Sequence, residues 1–308
     1  MNNPKRVDKR IPLRVACWNV RTLQDSNENE CPQQKSALVA LGLARLDVDI
    51  AALSEVRLAS QGLLTERGAG YTLYWSGKGP EEHRQSGVAY MLKQSLAKKL
   101  LDIPVGHSDR LMSLRLPLDG SRNVTIISAY ASTLPAEPKT KERFYDDLRR
   151  VLCKVNTTDK LIIMGDCNAR VGNDYSAWPG VLGKHDIGNC NDNGRLLLEL
   201  CSDAKLAITN SIFQQKSRFN TTWIHPRSKH WHLLDYIIVR QWNVRDVTHT
   251  RVMPSADCYT DHRLVRTKLN ITIKMVKKDG LPRAKMLDVE RLADVRERFS
   301  VLLEADLR

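Results

Sequence analysis

The chain reads as an α/β domain of two packed mixed β-sheets with helices on their outer faces. Three observations lead there. Short β-rich apolar runs recur from Leu13 to Ile273, and helical periodicity breaks in at only a few points. Some runs, such as Leu161–Gly165, are apolar throughout, as strands covered on both faces are. Gly, Pro or charged clusters separate them. Strands in this mixed order, with few helices between them, pack as sheet on sheet with helices outside. The 308 residues suit one large domain or two ordinary ones, and 42% hydrophobic residues suffice for a sizeable core.

Residues 1–12 form a basic arm, with four basic side chains in the first ten positions and no apolar pattern. Leu13–Val20 is the first strand. Gln33–Leu46 has apolar residues at helical spacing, and Asp49–Glu55 returns to a buried strand. Tyr71–Trp75, Gly87–Leu92, Leu111–Leu116 and Val124–Tyr130 are further strands, each bounded by turn or charged residues. Glu142–Val155 is an amphipathic helix, and Leu161–Gly165 is a buried strand stopping in Gly-Asp. Arg195–Ala204 is helical and the short strand Ala207–Asn210 follows it. Thr221–Ile224, Leu233–Val239, Val244–Arg251 and His262–Ile273 complete the strands of a domain spanning 13–273. No internal repeat is visible. Residues 274–308 read as a basic linker around Gly280-Leu281-Pro282, then a charged helix near Asp288–Leu307 whose apolar stripe wants a partner.

Composition narrows the function classes. No apolar run approaches the roughly 18 residues of a membrane span, and no apolar signal core follows Met1, so neither a membrane partner nor secretion is expected. Seven cysteines without a CxxC pair argue against a disulfide framework or zinc ribbon and fit a reducing compartment. Forty-eight Lys and Arg against 35 Asp and Glu give +13, which favours a polyanionic partner. No obligate protein partner is evident.

The informative residues are polar groups at the ends of apolar runs. Asn19 follows Val15-Ala16-Cys17-Trp18, and Glu55 follows Ile50-Ala51-Ala52-Leu53-Ser54. Tyr130 follows Ile126-Ile127-Ser128-Ala129. Asp166 and Asn168 follow Leu161-Ile162-Ile163-Met164-Gly165, and Asp261-His262 opens the last strand. Each alone has an ordinary explanation as a turn or cap. Asp235 is harder to dismiss, because it lies within the apolar run Leu233–Ile238 and an unpaired buried carboxylate costs several kcal/mol.

These pieces, in this order, resemble the endonuclease/exonuclease/phosphatase superfamily. The matches are Trp18-Asn19-Val20, Leu53-Ser54-Glu55-Val56-Arg57, Ser128-Ala129-Tyr130, Gly165-Asp166-Cys167-Asn168, Leu234-Asp235-Tyr236 and Thr260-Asp261-His262. Cys17-Trp18-Asn19-Val20-Arg21-Thr22-Leu23 and Asn193-Gly194-Arg195-Leu196-Leu197 resemble a subgroup, the endonuclease domains of RTE-type non-LTR retrotransposons and their craniofacial development protein 2-like relatives. Lys285–Leu292 resembles the linker that joins endonuclease to reverse transcriptase in such elements.

The resemblance implies a four-layered, DNase I-like α/β sandwich with Mg²⁺-dependent phosphodiesterase activity, Mn²⁺ being expected to substitute. It implies Glu55 as metal ligand with Asn19 in support and Asp261 as a further ligand. Asp166 would orient or deprotonate the attacking water, and Asn168 would hold the water or the phosphate. His262, partnered by Asp235, would contact the phosphate as an imidazolium, and Tyr130 would hydrogen-bond a phosphate oxygen. Two departures stand out. Arg21 occupies a place where many members carry a metal-assisting Asp, and Thr260 stands where Ser is common.

DNA is the expected partner, with Arg21, Arg57, Thr222, Trp223, Lys229 and Trp231 as contacts. His225, His230 and His232 read as surface histidines because no Cys lies at ligand spacing, and Cys167 has no assigned role. The expected activity is DNA nicking that leaves a 3′-hydroxyl. The alternatives are a phosphatase or abasic-site nuclease of the same superfamily, or a catalytically silent binding module. A DNA substrate implies nuclear residence, with a cytoplasmic pool compatible.

Overall fold

The computed structural model describes residues 12–24, 34–98, 100–119 and 122–274. The basic arm up to residue 11 and the tail from 275, with its expected helix, lie outside the described residues. The strands are β1 (Leu13–Asn19), β2 (Ile50–Ser54), β3 (Gln61–Glu66), β4 (Tyr71–Ser76), β5 (Val88–Lys93), β6 (Val105–Gly106), β7 (Leu111–Leu118), β8 (Arg122–Ala129), β9 (Lys160–Asp166), β10 (Leu206–Ile208), β11 (Trp223–Ile224), β12 (Trp231–His232), β13 (Asp235–Arg240), β14 (Val247–Met253) and β15 (Leu264–Leu269). The helices are α1 (Lys35–Arg45), α2 (Gln94–Ala97), α3 (Pro138–Cys153) and α4 (Asp192–Asp203).

The long strands form two sheets. One has the order β14-β15-β1-β2-β5-β4-β3, the other β10-β13-β9-β8-β7-β6, and β11 and β12 make a separate hairpin. Both large sheets are mixed, because β1 runs parallel to β2 and β8 parallel to β9 while the other pairs are antiparallel. Val15, Ile50, Tyr90 and Val265 of the first sheet pack between the layers against Leu114, Ile126, Ile162 and Ile237 of the second. The opposite faces are covered by helices. Val39, Ala40 and Leu43 of α1 pack on Ala16, Trp18 and Leu53, and Phe144, Leu148, Leu197 and Cys201 of α3 and α4 pack on Ile127, Ile163 and Ile238. This is the DNase I-like four-layered sandwich, and its doubly covered central strands explain why their sequences are nearly all apolar.

Local signals account for the boundaries. α3 starts four residues earlier than the periodicity suggests because Pro138 occupies its first turn. α4 starts at Asp192 because the Asn191 side chain caps it by accepting from the Gly194 N–H at 2.8 Å. The expected strand from Val244 begins only at Val247, since Gln241–Asp246 wind into a 3-10 helix. Likewise Ala207–Asn210 splits into β10 and a 3-10 turn over Thr209–Ser211. The last strand runs Leu264–Leu269 rather than from His262 to Ile273. Asp235 opens β13 instead of lying inside it, opposite Asp166 in the antiparallel register. The edge strand β3 has no apolar alternation, and Leu63 and Leu64 are both exposed.

Gly165 allows β9 to close on β8 where the site begins. Its φ is +150°, and a Cβ there would lie 2.0 Å from the Ala129 carbonyl oxygen. The close approach lets the Ala131 N–H donate to the Asp166 carbonyl at 2.9 Å, which joins the Tyr130 and Asp166 strand ends. Gly165→Ala should cost about 3 kcal/mol through backbone strain and overlap. Urea denaturation checks this, and an unchanged midpoint would refute the account.

Candidate active site

The ends of β1, β2, β8, β9 and β13, with the turn before β15, meet at one rim and surround a cleft of about 710 Å³. Its deepest element is an ion pair. Asp235 is fully buried, and its Oδ2 lies 2.9 Å from His262 Nδ1. This supplies the partner that a buried carboxylate in an apolar strand requires. The Asp235 backbone is held as well. Thr222 Oγ1 accepts the N–H groups of Leu234 at 3.0 Å and Asp235 at 3.3 Å, and Asn210 Nδ2 donates to the Asp235 carbonyl at 3.2 Å. On the other side, Trp18 Nε1 donates to the His262 carbonyl at 3.1 Å.

His262 Nε2 points to Asp166, 3.9 Å away. From Asp166 the contacts continue to Glu55 through one amide. Asn19 Nδ2 donates to Asp166 Oδ2 at 2.9 Å and to Glu55 Oε2 at 3.1 Å. Its Oδ1 accepts the Arg21 N–H at 2.8 Å, so the turn after β1 fixes the amide orientation. Thr260 Oγ1 donates to the Asn19 carbonyl at 2.9 Å and accepts the His262 N–H at 3.3 Å. The hydroxyl, which Thr retains in place of Ser, therefore ties the two ends of the site together.

Asn168 has a left-handed backbone, φ 46°, with its N–H on Asp166 Oδ1 at 2.8 Å and its Nδ2 on the Ala131 carbonyl at 3.0 Å. Tyr130 places its hydroxyl 3.4 Å from Glu55 Oε2, beneath the Arg110 guanidinium. Glu55 and Arg57 also have positive φ values, 60° and 57°. Such conformations in non-glycine residues gather where surrounding structure over-determines them, commonly at functional sites.

The other residues expected from the sequence take the following places. Thr222 is fully buried with its hydroxyl facing backbone amides, so it positions Asp235 and is not exposed to nucleic acid. Arg57 is turned onto Glu55 as an ion pair. Asp261 is exposed at the rim and accepts the Trp223 indole N–H at 2.9 Å, and no described hydrogen bond or ion pair joins it to Glu55. Asn19 presents its amide nitrogen, not its oxygen, to the carboxylates. Lys229 is exposed in the hairpin loop away from the cleft lining, and Trp231 lies under the Arg263 guanidinium. Arg21 and Trp223 do line the cleft, together with His225 and His232. Cys167 points into the core beneath α3 and α4.

The sequence reading missed a second tier of support. Asn193 Nδ2 donates to the carbonyls of Ser132 at 3.0 Å and Asn168 at 2.8 Å, pinning the Asp166–Asn168 loop. A Cβ on Gly194 would lie 1.8 Å from the Arg170 carbonyl, so that loop packs directly against the start of α4. The Asn-Gly pair was visible as a motif, but its physical reason was not.

Burial alone would pull the His262 imidazolium pKa down. The charge and hydrogen bond of Asp235, followed by Asp166 and Asp261, reverse this and raise it from 6.5 to about 9. Asp166 is pushed upward, first by burial and then by Asp235, against the pull of His262, Asn19 and Asn168. Asp166, Asp235 and His262 are close enough for an ion, with ligand atoms within 4.8 Å of one another. A protonated imidazole is no ligand, however, and its charge is already paired with Asp235. Glu55 differs: it is a partly exposed carboxylate in an oxygen-rich part of the cleft, the donor type a hard divalent cation takes.

A two-sheet sandwich that gathers Asn, Glu, Asp and His at one rim defines the DNase I-like class. The chain belongs to the Endonuclease/Exonuclease/phosphatase family, whose model matches residues 16–262. Members of the family are hydrolytic nucleases and phosphatases, typically dependent on divalent metal. Among curated proteins, craniofacial development protein 2 of Bos taurus is 32% identical over 268 residues, covering 87% of this chain and 43% of that protein. The Tragulus javanicus protein of the same name is 31% identical over 268 residues, 87% of this chain and 44% of that one. The chain thus spans less than half the length of these relatives. Among solved structures, the Xenopus laevis APE2 catalytic domain superposes with a TM-score of 0.60 at 18% identity, covering 86% of this chain and 94% of that one. The endonuclease domain of TRAS1, a telomere-specific non-LTR retrotransposon, gives 0.56 at 15% identity, covering 85% and 99%.

The two raised pKa values have one sign. Between the unfolded and folded pKa of each group, the folded chain holds a proton that the unfolded chain has released. The His262 contribution is complete below about pH 6.5 and is lost as pH rises through about 9, while that of Asp166 is lost at lower pH. Without divalent ion, stability should therefore fall as pH rises from about 5 to about 9, by on the order of 3 kcal/mol from His262 alone. Asp235→Asn should flatten the upper half of this window. Thermal unfolding across pH tests this, and a wild-type melting temperature that rises between pH 6.5 and 9 would contradict it.

Proposed function

We propose that the chain is a divalent-metal-dependent phosphodiesterase that nicks DNA and leaves a 3′-hydroxyl. The observation that carries the reading is the continuous set Glu55–Asn19–Asp166–His262–Asp235, which places a carboxylate, a raised-pKa acid and an imidazolium along one cleft. Hydrolysis of a phosphodiester needs those three parts: charge neutralisation, a base for water, and donors to the phosphoryl oxygens. Glu55 would hold Mg²⁺, which supplies charge neutralisation and aid to the leaving oxygen. Asp166, oriented by Asn19 and by the Asn168 N–H, takes the proton from water. His262, kept cationic by Asp235, donates to the phosphate from Nε2, and Tyr130 and Asn168 offer further polar contact.

A DNA substrate is supported by the +13 charge and by Arg21 and Arg170 on the cleft wall. The similar folds named for DNA work, among them a Neisseria 3′ phosphatase bound to a product DNA hairpin, support the same substrate class. Nuclear residence follows from that substrate. A second reading, a silent binding module, draws on one observation: Arg57 already occupies one side of Glu55, where it competes with an added cation. Among the described residues no helix is long and apolar enough to cross a membrane.

Supercoiled plasmid relaxation separates the readings. With Mg²⁺ the chain should relax the plasmid, EDTA should abolish this, and Asp166→Asn should lower the rate by about 10³-fold while the domain stays folded. His262→Ala should lose activity too, but it also strands the buried Asp235 carboxylate and so should lower the melting temperature, which makes Asp166→Asn the cleaner variant. Wild-type protein that leaves plasmid intact in Mg²⁺, or Asp166→Asn protein with unaltered rates, would overturn the reading. Parallel assays on abasic and 3′-phosphorylated duplexes would identify a different preference within the family.

A further inference from the structure

A row of arginines and lysines leads away from the cleft along the edge of the seven-stranded sheet. It begins at the β11–β12 hairpin, whose Trp223 lines the cleft and whose Trp231 lies 3.3 Å beneath the Arg263 guanidinium. The Arg263 N–H donates to the Thr222 carbonyl at 2.7 Å, and its Nη1 reaches the Arg218 carbonyl at 3.4 Å. Arg218 and Arg251 both lie against the Phe219 ring, 4.7 and 4.8 Å from its centroid. Arg251 faces Arg266 in the β14–β15 register, and Lys268 follows two residues on, opposite His249.

Strand parity puts Arg251, Arg266 and Lys268 on one face of the β14–β15 pair, and Arg218 and Arg263 join them through the Phe219 ring and the Arg218 carbonyl. The alternate residues Thr250 and Thr267 are buried and hydrogen-bonded to each other at 2.8 Å. Arg218 and Lys268 are exposed, and Arg251 and Arg263 are half-buried. No carboxylate is within ion-pair distance of these four among the described residues. Asp47, whose charge reaches Arg266, is already engaged by Arg14 and Lys93. His249 registers the resulting field: burial first, then Arg251, Lys268 and Arg266, hold it below the usual imidazole range.

Unpaired cations crowded onto one surface repel one another, and a fold built for stability alone would intersperse acids. Ring stacking holds three of the four guanidinium or ammonium groups in place, so little side-chain freedom remains to be lost on binding a bidentate anion. The six residues from Arg263 to Lys268 span roughly 17 Å of extended chain, the axial length of about five base pairs.

We propose that this ledge binds the phosphate backbone of duplex DNA flanking the cleft, so that the protein grips the substrate beyond the bond it cuts. The assignment rests on the DNA reading of the cleft and extends it to a second surface. Continuity through the hairpin favours the same duplex over a separate acidic partner, because the ledge starts where the cleft wall ends.

The test uses the full chain, wild type and Arg218→Gln/Arg251→Gln/Lys268→Gln, with intact duplexes of about 30 and about 10 base pairs. Binding is measured in EDTA across a salt series, and nicking of a long duplex in Mg²⁺. The triple variant should lose about tenfold or more in affinity for the long duplex, with a log K against log salt slope shallower by about 2 to 3. Its affinity for the short duplex should stay within about twofold of wild type. In nicking, KM should rise with kcat preserved. Arg218→Gln/Lys268→Gln, which leaves the Arg251–Phe219 stack in place, should show the same pattern at smaller size and guards against a folding defect in the triple variant. Unchanged long-duplex affinity and salt slope, equal loss on both duplexes, or no duplex binding by wild type would each overturn the ledge. Wild-type nicking with an unaltered triple variant would sink the ledge and leave the cleft reading intact. Ledge-dependent binding without any nicking would do the reverse.

Discussion

The structure depends on a carboxylate that has no access to water. Asp235 opens a central strand between two layers of apolar side chains, and only the His262 imidazolium at 2.9 Å makes its charge tolerable. That single requirement fixes much else. Thr222 and Asn210 hold the Asp235 backbone, Trp18 holds the His262 carbonyl, and Thr260 joins His262 to the end of β1. The pair also sets the electrostatics of its neighbour, because Asp166 lies opposite Asp235 in the sheet and within 3.9 Å of the imidazole. A carboxyl group with a raised pKa beside a fixed imidazolium is a consequence of where the sandwich buries charge.

Asn19 connects this buried pair to the open half of the cleft. One side-chain nitrogen spans Asp166 and Glu55, two carboxylates that would otherwise repel, while its oxygen is occupied by the turn that follows. Arg57 and Tyr130 then meet Glu55 from other directions. The left-handed residues Arg21, Glu55, Arg57 and Asn168 all lie in these turns, so the strand ends carry strain that the rigid sheets behind them support.

Much of this was legible in the sequence. The apolar runs marked the central strands because both faces are covered, and the polar residues that end those runs are the ones that converge. Asp235 stood out for the same reason that it needs His262. What was not legible depended on contacts between distant segments. Nothing local shows that the Thr222 hydroxyl faces the amides of Leu234 and Asp235, or that Asp261 answers Trp223 instead of turning toward Glu55. Arg57 follows Glu55 closely, but its direction is set by a positive φ that no residue type announces. Strand β3 escaped notice because an exposed edge has no buried face to impose alternation. Asn193 and Gly194 were seen as a motif, and their task of locking the Asp166–Asn168 loop appears only in three dimensions.

Two kinds of positive charge belong to the proposed cleft: a proton held on His262 by Asp235, and a divalent ion that Glu55 would hold. Anomalous diffraction from a Mn²⁺-soaked crystal tests that assignment most directly. The account predicts a peak at about 2.2 Å from the Glu55 carboxylate, with Arg57 displaced and His262 still paired with Asp235. A peak among Asp166, Asp235 and His262, or none with Arg57 still on Glu55, would contradict it.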